Sequence, residues 1–247
     1  MKIYLILFIS IIFSSCQKYW QVAEIDPESY RFDKYDRIKE DSTLIAYIEP
    51  FKEQLDAEMN EVIGEVETPL IKDRPESTLG NFLADLVLSQ AEICSGVKID
   101  FATQNNGGIR VPEVGVGPFT KSKAFDIMPF ENMITIIEAK GSVVKRLFDK
   151  MVASNGWPIS KSLQLVIDEG QLSAAYINGE ILDESRTYVF ALPDYVANGG
   201  DGCDFLTEEK RLPCNLLVRD AIINHVKALT KNGEKIAATL SDRIIIK

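Results

Sequence analysis

The sequence has a single histidine, His225, among 247 residues, and this scarcity excludes several kinds of metal site. A zinc site of the H-E-x-x-H type needs two histidines, and a two-metal hydrolytic centre needs several imidazoles. A Ser-His-Asp hydrolase would have to use this one residue. His225 falls in a predicted helix, and we expect it to lie on the solvated surface of that helix. The sequence therefore predicts no metal site in this chain.

Basic residues are also in the minority. The chain has 27 Lys and Arg against 37 Asp and Glu, so its formal net charge is -10. Such a surplus of acid disfavours nucleic acid as a partner, because the phosphate backbone would be repelled. It leaves room for a small anionic ligand held by a local group of arginines. The P-loop, nucleophile-elbow and dinucleotide-binding glycine patterns are absent from the sequence.

Long apolar runs are absent except at the N-terminus, where residues 3–13 form one behind Lys2. The run is too short to span a bilayer comfortably and suits the core of a signal peptide. It leads into Ser14-Ser15-Cys16, which resembles the lipobox of bacterial lipoproteins, although Phe13 stands where Leu is usual. We therefore expect a signal peptide over 1–15, a lipidated Cys16, a tether over 16–42 and attachment to a membrane of the bacterial cell envelope. The alternative is an ordinary secretory signal with a chance cysteine.

Three further cysteines, Cys94, Cys203 and Cys214, follow Cys16 without any C-x-x-C spacing. This spacing makes a poor metal site. In an oxidising compartment we expect either one structural disulfide or none. If one forms, the short loop between Cys203 and Cys214 favours that pair, and Cys94 is then a buried thiol.

The hydrophobic pattern predicts helices that interleave with hairpins, without a regular βαβ rhythm. A helical period begins at Leu44 and contains Pro50, and a second helix is expected after the capping residues Ser77 and Thr78. The apolar stripe that this second helix should bury is Leu79, Phe82, Leu83, Leu86 and Val87. A strand is expected at 97–102, and an Asn178-Gly179 turn predicts a hairpin. The sequence predicts an α+β fold over residues 43–247, a single compact domain with mixed or antiparallel sheets and packed helices.

Two loops carry polar residues suited to holding a ligand. The loop at 104–110 combines paired glycines with amides and Arg110, and the loop at 193–202 places Asp201 between glycines. Such a carboxylate suits the vicinal diol of a sugar, and the aromatic residues Phe130 and Tyr195 suit a flat ring system. Taken singly, the loop at 104–110 is better explained as a tight turn with solvated polar groups, and the aromatic residues are equally well explained by ordinary packing.

Four motifs in a fixed order carry a resemblance to a known family. They are Glu76-Ser77-x-Leu79-Gly80-Asn81-x-Leu83-Ala84-Asp85, Gln104-Asn105-Asn106-Gly107-Gly108-Ile109-Arg110, Met128-Pro129-Phe130-x-Asn132 and Asn198-Gly199-Gly200-Asp201-Gly202. Together they resemble the C-terminal, substrate-specificity domain of the 5′-nucleotidase family over roughly residues 45–247.

The resemblance implies a nucleotide or nucleoside site. The base would stack between Phe130 and Tyr195, and Asp201 would hold the ribose hydroxyls. The remaining implied substrate-binding residues are Asn105, Arg110, Asn132 and, for phosphate, Arg74. The sequence departs from the family pattern where Asn106 replaces Gly, where Tyr195 replaces the usual Phe, and where Pro75 takes one expected arginine position beside Arg74.

Members of this family also carry an N-terminal metallophosphoesterase domain whose Asp, His and Asn side chains bind two metals. Only about 60 mature residues precede the second predicted helix, and none is histidine. The resemblance therefore implies the nucleotide-binding half of a split 5′-nucleotidase, inactive alone, with divalent metals in a separate metallophosphoesterase chain. A stand-alone envelope nucleoside-binding lipoprotein and a relic scaffold without a ligand remain as alternatives.

Overall fold

The computed structural model describes residues 41–247. Residues 49–247 form one compact unit, and the chain before Glu49 belongs to a second unit, of which residues 41–48 are described. The expected signal peptide over 1–15, its lipidation site Cys16 and nearly all of the expected tether over 16–42 lie outside the described residues. Within the part that is described, no helix is both long and apolar enough to cross a membrane.

The described chain alternates helices with short strands. The helices are α1 (Ser42–Met59), α2 (Thr78–Ser95), α3 (Lys121–Ile127), α4 (Gly141–Ala153), α5 (Asp194–Ala197) and α6 (Val218–Lys231). The strands are β1 (Val62–Val66), β2 (Leu70–Ile71), β3 (Phe101–Ala102), β4 (Glu113–Val114), β5 (Gly117–Thr120), β6 (Ile134–Lys140), β7 (Leu163–Asp168), β8 (Gln171–Ile177), β9 (Glu180–Ile181), β10 (Thr187–Pro193), β11 (Lys210–Leu212) and β12 (Ile244–Ile246).

Two four-stranded sheets form the framework, one in the order β11-β6-β10-β3 and the other in the order β12-β7-β8-β9. Each contains one parallel pair, β3 with β10 and β7 with β12, and is otherwise antiparallel. The pairs β1-β5 and β2-β4 add two small antiparallel ribbons. The expected α+β class with mixed sheets is confirmed.

The sheet β11-β6-β10-β3 is buried on both faces. Neighbouring residues of β6 and β10 enter different cores: Ile136 and Ala191 pack into one, while Ile137 and Phe190 pack into the other. Because side chains alternate across a strand, each face of this sheet is covered by its own cluster of apolar groups. The sheet is therefore a rigid platform for the loops that leave its edge.

Helix α2 begins where its sequence predicts. The Ser77 side chain accepts a hydrogen bond of 3.0 Å from the Gly80 amide, which satisfies one of the free donors of the first turn. The predicted apolar stripe is buried in full, namely Leu79, Phe82, Leu83, Leu86 and Val87.

The first of the four motifs is architectural. The Glu76 carboxylate accepts hydrogen bonds from the Asn81 side chain and from the amides of Ser241 and Arg243. Asp85 accepts two hydrogen bonds, of 2.9 and 2.8 Å, from the guanidinium of Arg243, which is only 8% exposed. This motif therefore fixes the segment before β12 against α2.

The disulfide differs from the expected one. Cys94 at the end of α2 is bonded to Cys214, which follows β11, and Cys203 is a buried free thiol. The expectation of a Cys203–Cys214 pair was wrong because Cys203 lies within the apolar core around α4. Burial raises the pKa of the Cys203 thiol to about 11.

Two other local expectations also need correction. His225 is half-buried and lies edge-on to the Phe82 ring, 5.8 Å between centroids, so it is not a solvated surface residue. Burial holds the pKa of its imidazole below the ordinary 6.5. The strand expected at 97–102 is limited to β3, because the Asp100 carboxylate accepts the Val189 amide at 2.8 Å in place of a main-chain partner.

Candidate functional site

Three of the four motifs meet at one edge of the sheet β11-β6-β10-β3. Strands β3 and β10 are parallel neighbours, so the loop after Ala102 and the turn after Pro193 leave the sheet at the same edge. Strand β6 is antiparallel to β10, with Ile134 opposite Pro193, so the segment that precedes β6 reaches that edge as well. The topology therefore gathers motifs that are almost a hundred residues apart in sequence.

These segments enclose a cavity of about 300 Å³, which we call the aromatic cavity. Its lining residues are Asn105, Gly107, Gly108, Phe130, Asn132, Tyr195 and Asp201. Five of the seven substrate-binding residues expected from the sequence thus lie around one space. Its volume is at the lower end of the range for small-molecule sites.

The two aromatic rings of this cavity are open to solvent. Phe130 is 42% exposed and Tyr195 is 48% exposed. Tyr195 lies in the short helix α5 and Phe130 in the segment before β6. Exposed rings on the wall of a cavity are suited to stacking with a flat ligand.

Asp201 occupies a strained backbone position within the same cavity. Its φ is +55°, a left-handed conformation that residues other than glycine adopt rarely. Its Oδ2 accepts a hydrogen bond of 2.8 Å from Asn105 Nδ2, and its Oδ1 accepts one of 3.3 Å from the Tyr195 hydroxyl. Strain of this kind persists where the surroundings hold the residue in place, and it clusters at functional sites.

The loop that carries Asn105 is fixed from behind. The Asn106 side chain donates a hydrogen bond of 2.6 Å to the Gly156 carbonyl, and the backbone N–H of Gln104 donates one of 3.0 Å to the Pro158 carbonyl. Asn106, which departs from the family pattern, is 4% exposed and ties this loop to the segment after α4. Its side chain thus has an architectural role that a glycine would lack.

A second cavity, of about 460 Å³, is lined by three cations together with Asp73, Val111 and Pro112. Lys72, Arg74 and Arg110 line it, and we call it the basic cavity. The guanidinium of Arg110 also lies over the Phe130 ring, 5.7 Å from its centroid, so it faces both cavities. Burial, and then the charges of Arg110 and Arg74, hold the pKa of Lys72 below its ordinary value.

A third cavity, of about 470 Å³, is lined by Asn106, Lys150 and Trp157 among others. It shares Asp201 with the aromatic cavity and Arg74 with the basic cavity. The Arg74 guanidinium donates a hydrogen bond to the Ser154 carbonyl, which holds it between the second and third cavities.

No group of three or more His, Cys, Asp or Glu side chains capable of holding a metal ion occurs within residues 41–247. The polar side chains that line the three cavities are instead amides, the guanidinium groups of two arginines, the ammonium groups of two lysines, two hydroxyls, one indole and the carboxylates of Asp73 and Asp201. This donor set suits hydrogen bonds to hydroxyl groups and charge pairing with an anion.

Two residues of the site were not anticipated from the sequence. Lys72 lines the basic cavity, and Gln104 contacts Asn105 beneath the aromatic cavity. The position of Lys72 two residues before Arg74 is a usable signal, since a pair of cations near a motif indicates an anion site. Gln104 gives no comparable signal, because its role depends on a contact that only the fold shows.

Comparison with known proteins identifies similar chains. The model of a family described as 5′-nucleotidase, C-terminal domain, matches residues 62–208. The chain is 29% identical over 193 residues to a 5′-nucleotidase of Vibrio vulnificus and 30% identical over 190 residues to protein UshA of Yersinia enterocolitica. Each match covers 74% of this chain and 34% of the relative, so the chain spans about a third of their length.

Solved structures show the same fold. The 5′-nucleotidase precursor of Thermus thermophilus matches with a TM-score of 0.68 at 24% identity, over 82% of this chain and 42% of that one. The NAD nucleotidase of Haemophilus influenzae matches with a TM-score of 0.63 at 19% identity, over 84% of this chain and 42% of that one.

Proposed function

The chain belongs to the family of 5′-nucleotidase C-terminal domains, and from that premise we propose that it is the nucleotide-binding half of a split 5′-nucleotidase. The observation that carries the proposal is the aromatic cavity. Two exposed rings, Phe130 and Tyr195, line the same space as a carboxylate held in a strained conformation. A nucleoside has a flat base for the rings and a vicinal diol for the carboxylate, so it matches both features.

The basic cavity favours a phosphorylated nucleoside as the ligand, in preference to a nucleoside without phosphate. Arg110 contacts Phe130 on one side and lines the basic cavity on the other, so a phosphate attached to a stacked nucleoside would lie within its reach. The planar donor group of an arginine pairs two phosphate oxygens at once, and Lys72 adds a point charge. In this arrangement the aromatic cavity binds the base and the ribose, and the basic cavity binds the phosphate.

Hydrolysis would depend on a metallophosphoesterase on a separate chain. Two-metal centres lower the pKa of bound water to about 7, and they take several imidazole and carboxylate ligands. This sequence offers one histidine, which packs against Phe82. The described residues would bind and orient the nucleotide while the partner supplies divalent metals and the attacking water.

A stand-alone nucleoside-binding lipoprotein is a second candidate, favoured by one observation. The lining of the aromatic cavity offers rings for a base and a carboxylate for a diol but no cation for a phosphate, which suits a nucleoside. For either candidate we propose a location in the bacterial cell envelope, with the lipid anchor on Cys16. Replacement of Cys16 by Ala should then release the protein from the membrane fraction, and retention of that variant would contradict the anchor.

Calorimetry with adenosine and AMP tests the binding site. Removal of the Tyr195 ring should weaken the binding of both ligands by about 1 kcal/mol, in addition to the effect of the lost contact area. The Asp201→Asn substitution should weaken the binding of both ligands by about 1.5–3 kcal/mol. The controls are Tyr176→Ala, a half-buried ring on β8, and Asp168→Asn, an exposed carboxylate at the end of β7.

A third variant distinguishes the contribution of the phosphate to binding from that of the nucleoside. The Arg110→Met substitution should weaken the binding of AMP more than that of adenosine, because only AMP has a phosphate to place in the basic cavity. Equal affinities of the wild type and the Tyr195 and Asp201 variants would contradict the assigned site. Failure of the wild type to bind either ligand would favour the relic scaffold.

Release of phosphate from AMP distinguishes the two candidate functions. The split-enzyme proposal predicts turnover only when this chain is mixed with a metallophosphoesterase partner and Mn²⁺, Zn²⁺ or Mg²⁺. Robust turnover by this chain alone, abolished by a chelator, would show a metal site within it. Binding of adenosine without turnover under any combination would favour the stand-alone protein.

A further inference from the structure

Gln104 is a buried polar residue that the proposed binding roles do not use. Its side chain is 0% exposed, and its Nε2 donates a hydrogen bond of 3.3 Å to Asn105 Oδ1. Its Oε1 has no hydrogen-bond partner among the described residues. A buried acceptor without a partner costs free energy, so an apolar side chain would be the cheaper choice for packing alone.

The contact with Asn105 fixes which way that amide points. The carboxamide of Asn105 has one accepting and one donating end, and both are engaged. Because Oδ1 accepts from Gln104, Nδ2 faces Asp201 and donates to Oδ2 at 2.8 Å. If the amide were reversed, two oxygens would face each other across that gap.

The space around this contact is kept free by Gly108. A methyl group added at Gly108 would lie 2.6 Å from Gln104 Nε2 and 3.1 Å from Asn105 Oδ1. The glycine therefore allows the two amides to meet beneath the aromatic cavity. Two consecutive hydrogen bonds therefore connect the side chains, from Gln104 to Asn105 and from Asn105 to Asp201.

We propose that Gln104 is a positioning residue for ribose recognition, which sets the direction of the Asp201 carboxylate through Asn105. This inference rests on the proposed function, since it takes the ribose diol as the group that Asp201 binds. Gln104 itself touches no ligand. Its loss should weaken recognition of the diol and leave recognition of the base unchanged.

The test compares adenosine with 2′,3′-dideoxyadenosine, which has the base but not the diol, by calorimetry on the full chain. In the Gln104→Leu variant we expect the Kd for adenosine to rise about fivefold to tenfold, as for the weakening of a hydrogen bond to a charged group. The Kd for the dideoxy compound should stay within about twofold, since stacking on the rings is unchanged. Gln90→Leu, which removes a buried amide of α2, is the matched control and should change neither.

A second variant, Gln104→Met, keeps the length of the side chain and removes its donor. Asn105 Oδ1 then loses its partner, and the variant should produce the same selective loss, which provides a test if the leucine variant fails to fold. Equal weakening of both ligands by either variant, or no weakening, would overturn the positioning role. Failure of the wild type to bind adenosine would instead overturn the proposed function, and this inference with it.

Discussion

The Cys94–Cys214 disulfide provides the most direct test of the fold. It joins the end of α2 to the segment before α6 and closes a loop of 120 residues. A crosslink stabilises chiefly by restricting the unfolded chain, and the restriction grows with the logarithm of the loop length. For this separation the loss of entropy is about 16 cal/mol/K, or about 5 kcal/mol at 25 °C.

This free energy predicts a large change on reduction. For a chain of this size, each kcal/mol shifts the midpoint of thermal unfolding by about 2–4 °C, so reduction should lower it by about 10–20 °C. The Cys94→Ser/Cys214→Ser double variant should match the reduced wild type. Its midpoint should not respond to reductant, because no crosslink remains to be broken.

The assay is thermal unfolding followed by circular dichroism, with and without reductant, on the wild type and the variants. Cys203→Ala is the control, because it removes the buried free thiol and leaves the disulfide intact. Reduction should lower the unfolding midpoint of this variant by as much as it lowers that of the wild type. Peptide mapping without reductant should recover Cys94 linked to Cys214.

Two results would refute this reasoning. Recovery of a Cys203–Cys214 peptide would show that the pairing is wrong, and a loss of sensitivity to reductant in Cys203→Ala would point to the same error. A wild-type midpoint unaffected by complete reduction would show that the crosslink does not restrict the unfolded chain as calculated.

Four further variants, one of them a control, are compared with the wild type by denaturant unfolding. Asp85→Ala leaves the buried Arg243 guanidinium without its carboxylate and should cost about 3 kcal/mol, whereas Asp149→Ala, which breaks an exposed ion pair, should cost at most about 0.5 kcal/mol. Asn106→Gly loses a buried hydrogen bond and gains chain freedom, so it should cost about 1–2 kcal/mol; an unchanged free energy of unfolding would contradict the role given to that side chain. Because burial lowers the pKa of His225 below 6.5, the unfolded chain takes up the proton first as the pH falls, and stability is lost below about pH 6.5. His225→Gln should therefore lose less stability than the wild type between about pH 7.5 and about pH 5, and equal losses would contradict the shift.

Local features were predicted well from the sequence because their causes are local. The Ser77 cap and the apolar stripe behind it predicted α2, and the Asn178-Gly179 turn joins β8 to β9 with both residues at positive φ, +53° and +82°. Caps and tight turns are determined by a few neighbouring residues. Phe130 and Tyr195, which the motifs predicted as binding residues, line the same cavity.

The failures concern contacts between distant segments. Cys203 is closer to Cys214 in sequence than Cys94 is, but Cys203 is buried in the core around α4, and Cys214 is bonded to Cys94 at the end of α2. His225 has polar neighbours in sequence, and its contact with Phe82 depends on how α6 packs on α2. The position of Lys72 in the basic cavity likewise depends on the fold.

The four motifs divide into two physical roles. Glu76 and Asp85 accept hydrogen bonds from the segment before β12 and lie outside the cavity lining, whereas Asn105 and Asp201 line the aromatic cavity. Asn105 and Asp201 are brought together because β3 and β10 are parallel neighbours, and the hydrogen bond between their side chains then links the two loops. A substitution at Asp85 should therefore lower stability with little change in ligand affinity, and one at Asp201 should do the reverse. Measurement of both quantities on both variants separates the two roles, and an equal loss of stability in the two would show that Asp201 is also architectural.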